Sequence, residues 1–576
     1  MFLKHLPLTQ WLQSYNKQDF ISDFIAGLIA TIIMVPQGMA YALLAGVPAE
    51  YGLYCAILPS FFYAILGSSR SLSVGPAALI SIMVASSVGA LAPANEAEYL
   101  TYAVNISFLT GVFLLLMRLF KLGSMTNFIS LPVISGFTSA SAIIILTSQL
   151  KHMFGLSIPS GLGFAETVMS LIQQLPLMNY TTLSIAVLAC LGLWYFKNHF
   201  PIHLKHLSLH PLIEQGLGKA GPMFVVLLSA YAIYYGQLDS IKQVQVVGAI
   251  PEGLPSLQIW QLDIRLWQEL ALPSVLIALM CFVTSISVGT KLASKRKERI
   301  NANQELFALG AANLMAGLSG TFSLAASMSR SAVNHSAGAQ TTIASIVCAL
   351  GVLLTLLFLT PFFYYLPLAV LGAIVVMSVV SMIEIEQVAR CWRVNRTDAY
   401  SLIATFFTVL IFGIEVGISV GIIGSVILVV YRASHPHMAV VGRVGDTEHF
   451  RNIKRHQVTT EQDILAIRVD ESIYFSNVQC IESYILSHAK NSAVIKHIVL
   501  IFSSVSFVDT TALDAFEAMK VKLEESSIRL HFAEVKGPVM DQLEQTRFIE
   551  LLKPGEIFFT TDDAFKALSN HNSHSA

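Results

Sequence analysis

Apolar stretches of the length a spanning helix needs, about 20 residues, recur through most of the chain. They fall near 20–46, 50–67, 100–120, 127–150, 180–196 and 220–236. A second set lies near 271–293, 303–320, 341–360, 366–383, 398–412 and 415–432. Two further segments, 73–90 (SVGPAALISIMVASSVGA) and 325–340 (AASMSRSAVNHSAGAQ), are rich in Gly, Ser and Ala and open on short polar or Gly/Pro-containing stretches. They read as half-helices that enter the membrane partway. With them the pattern predicts fourteen elements in two sets of seven.

Beyond residue 432 the pattern changes. The stretch 433–460 reads as a polar connector. After it, ILAIRV (464–469), HIVLIF (497–502) and IRLHFAEV (528–535) are strand-like, and the segments beginning at Ser476 and Thr511 are helix-like. That alternation predicts a small α/β domain.

Charge in the loops supports the count of spans. With the N-terminus inside, the inside loops and the exit from the last span hold fifteen Lys/Arg, and the outside loops hold only Lys151, Lys242 and Arg265. This is the asymmetry of the positive-inside rule. Composition agrees: 54% of the chain is hydrophobic and 12% is charged, against about 25% charged in soluble domains. The formal net charge of −1 gives no footprint for nucleic acid. The N-terminal segment 1–19 reads as an amphipathic lead-in to the first span, without the apolar core of a cleavable signal. The six cysteines are scattered with no CxxC spacing, so neither a disulfide framework nor a zinc site is expected.

The two sevens resemble each other. Leu131-Pro132 opens the fifth element of one half and Leu366-Pro367 the fifth of the other, and the interrupted third elements match in position. An odd number of elements per half places the halves in opposite orientations. Interrupted segments at matching places in inverted repeats point to a transporter's binding site.

Broken backbone in a membrane survives only where it lines a cavity or is buried in protein. A helix N-terminus there offers unsatisfied N–H donors and partial positive charge. Gly75-Pro76-Ala77 suits the start of the first half-helix, since Gly allows close approach and Pro is tolerated at a helix start. Ser329-Arg330-Ser331 suits the second: its hydroxyls can donate to anion oxygens, and Arg330 adds a full charge. A charge at membrane depth costs at least ~2.5 kcal/mol and marks a functional site. The spans hold few carboxylates to neutralise it. Other features have plainer readings. Gly413, Gly417 and Gly421 form a helix-packing pattern. His203, His206 and His210 form a solvated juxtamembrane patch rather than a metal site. No Walker A motif, Ser-His-Asp set or carboxylate pair stands out, so neither ATP drive nor enzymatic activity is expected, and no cofactor or metal.

Several blocks resemble the SulP (sulfate permease) family of anion transporters: VPQGMAYALLAGVPAEYGLY (35–54), SLSVGPAALISIM (71–83), SMSRSAVNHSAGAQT (327–341) and LPLAVLGAIV (366–375). The C-terminal part resembles the STAS domain that these transporters carry. The resemblance implies a seven-plus-seven inverted repeat of the uracil-transporter type. A core (elements 1–4 and 8–11) would hold the anion and move against a gate (elements 5–7 and 12–14). The expected organisation is a cytoplasmic segment 1–19, a transmembrane domain 20–432, a linker 433–460 and a STAS domain 461–576. By motif, Gln37 would hydrogen-bond the anion and Tyr41 would wall the pocket, beside Gly75, Pro76, Ala77, Ser329, Arg330 and Ser331. The expected activity is secondary active transport of sulfate by an elevator-like motion. Bicarbonate or dicarboxylate transport, anion exchange, and an anion-responsive sensor signalling through the STAS domain are the alternatives. The resemblance also implies a homodimer in the plasma (bacterial inner) membrane with both termini cytoplasmic, and H⁺ or Na⁺ as the coupling ion.

Two positions depart from the family's pattern. Many members have a glutamate in the eighth element, within F-x-E-S-I-S-x-x-K. Here Thr284 follows Phe282-Val283, and a threonine cannot titrate, which puts proton symport through this position in doubt. In the STAS domain, the turn Asp509-Thr510-Thr511-Ala512 keeps the hydroxyls of a regulatory phosphorylation site but loses the glycine. Asp and Thr are also good helix caps, and a structural cap is the favoured expectation.

Overall fold

A computed structural model describes residues 7–124, 130–159, 162–206, 217–251, 253, 263–490 and 494–570. His210 of the histidine patch and the extreme ends of the expected N-terminal and C-terminal regions lie outside the described residues. The chain forms two compact units, Met1–Ser425 and Val426–Ala576.

Each of the fourteen segments carries a helix, the last of them, Ile414–Ser434, running past the boundary at Ser425. Among the described residues, eight helical stretches are long and apolar enough to cross a membrane. The first element, Lys17–Leu44, starts at an Asn16 capping box in which Asn16 caps the Asp19 backbone and Asp19 returns the bond, satisfying orphan donors at the helix start. The second is broken into Ala49–Cys55 and Leu58–Leu66.

The third and tenth elements are the irregular ones. Each begins as a two-residue strand at depth and continues as a short helix. β1 (Val74–Gly75) leads into Ala78–Ala90, and β2 (Ala325–Ala326) leads into Met328–Ser336. β1 and β2 pair antiparallel, Val74 with Ala326 and Gly75 with Ala325.

Helix packing follows the expected symmetry. Element 1 (Lys17–Leu44) packs on element 11 (Ile343–Phe358), and its counterpart, element 8 (Trp267–Lys295), packs on element 4 (Glu96–Leu119). Element 5 (Leu131–Phe154) packs on element 13 (Arg396–Phe412), and element 12 (Leu368–Val379) on element 6 (Tyr180–Asn198). These contacts repeat when the two halves are exchanged. They also fall within two groups: elements 1–4 with 8–11, and 5–7 with 12–14.

Elements 4 and 9 cross closely at Gly111, where a Cβ would lie 2.5 Å from the Leu314 backbone nitrogen. Only glycine permits that approach, the small-residue crossing typical of membrane bundles. Gly417 and Gly421 also serve packing: a Cβ at either would strike Val409 or Val133.

Among the described residues, the second unit holds helices around a six-stranded sheet in the order β4 (Phe450–Asn452), β3 (Met438–Arg443), β5 (Ile464–Val469), β6 (His497–Ile501), β7 (Arg529–Ala533), β8 (Ile557–Phe558). β5, β6, β7 and β8 run parallel, while β3 is antiparallel to both β5 and β4. The three strands expected from sequence are β5, β6 and β7.

Side-chain alternation places apolar residues on both faces. Leu465, Ile467 and Val469 join a core with Phe516 and Phe532, and Ile464 and Ala466 pack with Phe565 and Leu568 of the helix Thr561–Asn570. Burial on both faces suits parallel strands. The stretch 433–460, expected as a polar connector, differs from that reading. Two sheet strands occupy it: Ala439 and Val441 pack on one face of the sheet, and Met438 and Val440 pack on the other.

Candidate functional site

The paired β1 and β2 bring the N-termini of two half-helices together, running in opposite directions from the ribbon. The N-cap positions are Ala77 and Ser327, and neither side chain caps its helix. The first-turn N–H groups therefore keep donors with no side-chain partner.

The surrounding irregular backbone is well satisfied. Asn313 donates to the Leu324 carbonyl at 3.1 Å and accepts from the Leu324 N–H at 3.0 Å. The Ala326 N–H donates to Ser285 Oγ at 3.1 Å, the Ser327 N–H donates to the Ser73 carbonyl at 3.1 Å, and Ser60 Oγ donates to the Val74 carbonyl at 2.8 Å. Non-helical backbone at membrane depth requires such partners.

Arg330 is the centre of the arrangement. It is 1% exposed, and its Nη2 donates to the Pro76 carbonyl at 2.6 Å, crossing from the tenth element to the start of the third. Its Nε and Nη1 are buried and have no hydrogen-bond partner among the described residues. Among the described residues, no carboxylate forms an ion pair with it. A Cβ on Gly75 would stand 3.4 Å from Arg330 Nη2 and 2.9 Å from Met34 Cε, so the residue at 75 must be small for the guanidinium to lie there.

Gln37 and Ser329 line a common cavity of about 480 Å³ with Ile33, Met377 and Ser378. The Gln37 Oε1 is buried with no hydrogen-bond partner among the described residues. Ser329 Oγ lies 3.2 Å from Ser327 Oγ. Tyr41 is buried, and its hydroxyl donates to Ser378 at 3.1 Å, joining the first element to the twelfth.

Ser331 is differently engaged: its hydroxyl accepts from the Ser73 N–H at 2.9 Å and helps hold the crossing ribbon. Ala77 is close to fully buried at the start of its helix. Thr284 turns its hydroxyl to its own helix, donating to the Met280 carbonyl at 2.6 Å. Its neighbour Ser285 is the one that reaches the ribbon.

Sequence reasoning missed Ser378, whose only signal is a hydroxyl in an apolar run that also holds Ser381. It also missed Met34, whose contact with position 75 has no sequence signature.

In the second unit, Asp509 caps the helix Thr510–Glu524. One carboxylate oxygen accepts from the Ala512 N–H at 2.8 Å and the other from the Phe475 N–H at 2.8 Å. Thr510 and Thr511 are exposed.

Two interrupted helices meeting inside a bundle of opposed repeats are the architecture of a secondary transporter. The family model described as "Sulfate permease family" matches residues 20–405, and that of the STAS domain matches residues 455–564. The chain belongs to the sulfate permease family and carries a STAS domain. It is 32% identical to "Sulfate transporter 4.1, chloroplastic" of Arabidopsis thaliana, over 97% of this chain and 82% of that one. The solved structure of murine Solute Carrier 26 family member A9, an anion transporter in the inward-facing state, has a TM-score of 0.88 at 25% identity, covering 98% of this chain and 94% of that chain. The transmembrane domain of the cyanobacterial bicarbonate transporter BicA shares the fold, with a TM-score of 0.59 at 22% identity over 72% of this chain and 98% of that one.

Proposed function

We propose that this protein is a secondary active transporter of sulfate that holds the dianion between the two half-helix N-termini. One observation carries the reading: a buried arginine keeps two guanidinium nitrogens unpartnered where two uncapped helix starts converge. A guanidinium binds oxyanions through charge-assisted, often paired hydrogen bonds. The helix dipoles add to the same field. Arg330, Gln37, Ser329 and the N–H groups that follow Ala77 supply donors, while Pro76 fixes the guanidinium and Gly75 makes room for it. Gln37 would donate through its amide, and Tyr41 walls the pocket. Ser331, already engaged by Ser73, acts by holding the ribbon.

Elements 1–4 and 8–11 act as a core that carries the site, and elements 5–7 and 12–14 as a gate. The division of packing supports that reading. The named relative transports sulfate, which favours sulfate as the cargo. Bicarbonate is the second reading, favoured by the shared fold with a bicarbonate transporter.

Thr284 cannot carry a proton, and its hydroxyl is spent on its own helix. The coupling reading is therefore anion exchange or Na⁺ symport rather than H⁺ symport through this position. The concentration of Lys and Arg in alternate loops supports cytoplasmic termini; placement in a plasma (bacterial inner) membrane rests on the family resemblance. A homodimer rests on the family resemblance alone. In the STAS domain, Asp509 acts as a structural cap, since both its oxygens are engaged.

Uptake of labelled sulfate and bicarbonate into proteoliposomes, with and without pH and Na⁺ gradients, tests the proposal. Saturable sulfate uptake that is insensitive to an inward proton gradient is expected. Absence of uptake for every anion would overturn the transporter reading and favour a sensor.

A further inference from the structure

The fourteenth element begins one residue after the thirteenth ends. The single residue Gly413 joins Phe412 to Ile414, at a φ of +92° that favours glycine. The tight turn sets Glu415, half-buried, in the first turn of the fourteenth element. Ser87 Oγ donates to Glu415 Oε1 at 2.5 Å. Ser87 is 2% exposed and lies near the end of the third element. Among the described residues, no Lys or Arg forms an ion pair with Glu415.

That bond joins the two packing groups, since element 3 belongs to one and element 14 to the other. Other side-chain bonds cross the same division, among them Tyr41 to Ser378, and Lys219 Nζ to Ser336 Oγ at 2.6 Å. They differ in strength. The Tyr41 bond joins two neutral groups, and the Lys219 bond is exposed to water. The Ser87 bond runs to a carboxylate from a buried donor, the combination that strengthens a hydrogen bond most.

Its place along the pathway is distinctive. The cavity that holds Gln37 and Ser329 reaches Lys197 and Lys219, at the basic end of the bundle. Further along element 1, past Tyr41, a second cavity of about 290 Å³ lies between the two groups at the other end. Leu43, Leu44 and Ser86 line it from one side, and Thr147, Ser148 and Ile414 from the other. Ser87 and Glu415 are the chain neighbours of Ser86 and Ile414.

We propose that Ser87 and Glu415 form an outer latch, which holds the core against the gate while the anion site faces the cytoplasm. Glu415 is thereby a positioning residue for transport. The inference rests on the transporter reading above and deepens it, because moving the core to an outward-facing position separates the pair. Release has a ready route. A serine in a helix turns its hydroxyl to the carbonyl four residues back, here that of Met83. Glu415 then takes its bonds from water entering the second cavity. Opening thus costs the net worth of one charge-assisted bond, not that of a buried group left unsatisfied.

Glu415 also has a plainer role, since an acidic residue in a first turn complements the helix dipole. That role does not need Ser87, which gives the test its contrast. Thr147→Cys places a thiol on the gate wall of the second cavity. Its reaction with a bulky polar maleimide is followed in the full-length protein in nanodiscs, and the protein without this change supplies the background from its six native cysteines. Ser87→Ala and Glu415→Gln should each speed labelling about tenfold, and the double variant should match either single one. Residues that act through one bond are not additive.

Transport gives a second readout. Apparent affinity scales with the population of the state that binds. With sulfate applied to one face at a time in oriented vesicles, the outer half-saturating concentration should fall about tenfold in each variant, while the cytoplasmic value stays within about twofold. Unchanged labelling and unchanged outer affinity in Ser87→Ala would reduce Glu415 to its helix-dipole role and overturn the latch. A roughly hundredfold effect in the double variant would show the two groups acting apart, and would also overturn it. Non-additive labelling in a protein that takes up no anion would uphold the latch while the carrier reading fell.

Discussion

Two fully buried charged side chains in the membrane unit, Glu305 and Arg330, have opposite surroundings. Glu305, at the start of the ninth element, is 0% exposed. It accepts from Tyr63 Oη at 2.8 Å, from Ser68 N and Oγ at 2.7 Å each, and from Ser69 N at 3.1 Å. Arg330 is 1% exposed and donates to one carbonyl, with Nε and Nη1 unpartnered. A buried charge is tolerated when hydrogen bonds replace its hydration. Glu305 meets that condition within the protein, so its role is to tie the loop before β1 to the ninth element. Arg330 does not, and its remaining donors suit a ligand that brings its own negative charge. Asp23 falls with Glu305: it accepts from Gln340 N at 2.6 Å, Thr341 N at 3.0 Å and Tyr15 Oη at 3.0 Å. Buried charge alone does not mark a site; unsatisfied buried charge does.

The comparison can be broken most sharply from the Glu305 side. Glu305→Ala leaves several buried donors without an acceptor and should cost about 3 kcal/mol of stability. A lowered thermal midpoint in detergent would show this, and the sulfate affinity of the protein that remains folded should stay within about twofold. A large affinity change at normal stability would mean that the two charges do not divide as described.

The reverse pattern is expected at Arg330. Arg330→Gln should weaken sulfate binding about 100-fold, the scale of losing charge-assisted hydrogen bonds, with the thermal midpoint unchanged or raised. Titration calorimetry and melting curves on one preparation separate the two effects.

A subtler change sharpens the placement of the guanidinium. Gly75→Ala would put a methyl group 2.9 Å from Met34 Cε and 3.4 Å from Arg330 Nη2, and should lower affinity about fivefold. Because the nearest obstacle is the end of a flexible side chain, adding Met34→Ala should restore much of the loss.

The smallest effect is expected at the eighth element. Thr284→Glu introduces a titratable carboxylate and should make uptake depend on an inward proton gradient by about twofold. No gradient dependence in this variant would place proton coupling elsewhere.

Much of this was legible in the sequence because its signals are local. The fourteen elements appear as apolar runs, the half-helices as Gly/Ser-rich interruptions, and Arg330 as a charge in a segment of membrane depth. The family motifs added Gln37 and Tyr41. The structure supplied what depends on distant partners. Ser331 lies beside Arg330 in sequence, yet its hydroxyl serves Ser73, across a separation of 258 residues. Glu305 finds Ser68 across 237 residues, so no local pattern shows that it is satisfied. The connector was misjudged for a related reason: a short edge strand such as Phe450–Asn452 gains its stability from the sheet it joins. Its own residues read as polar loop.

The central claim is that an oxyanion sits against the free nitrogens of Arg330, between the helix starts at Ala77 and Ser327. An experimental structure of the protein with selenate, a sulfate analogue visible by anomalous scattering, tests it most directly. The account predicts a selenium peak within hydrogen-bonding reach of Arg330, bounded by Gln37 and Ser329. A selenium peak at another depth in the bundle, or none between the two half-helices at saturating selenate, would contradict it.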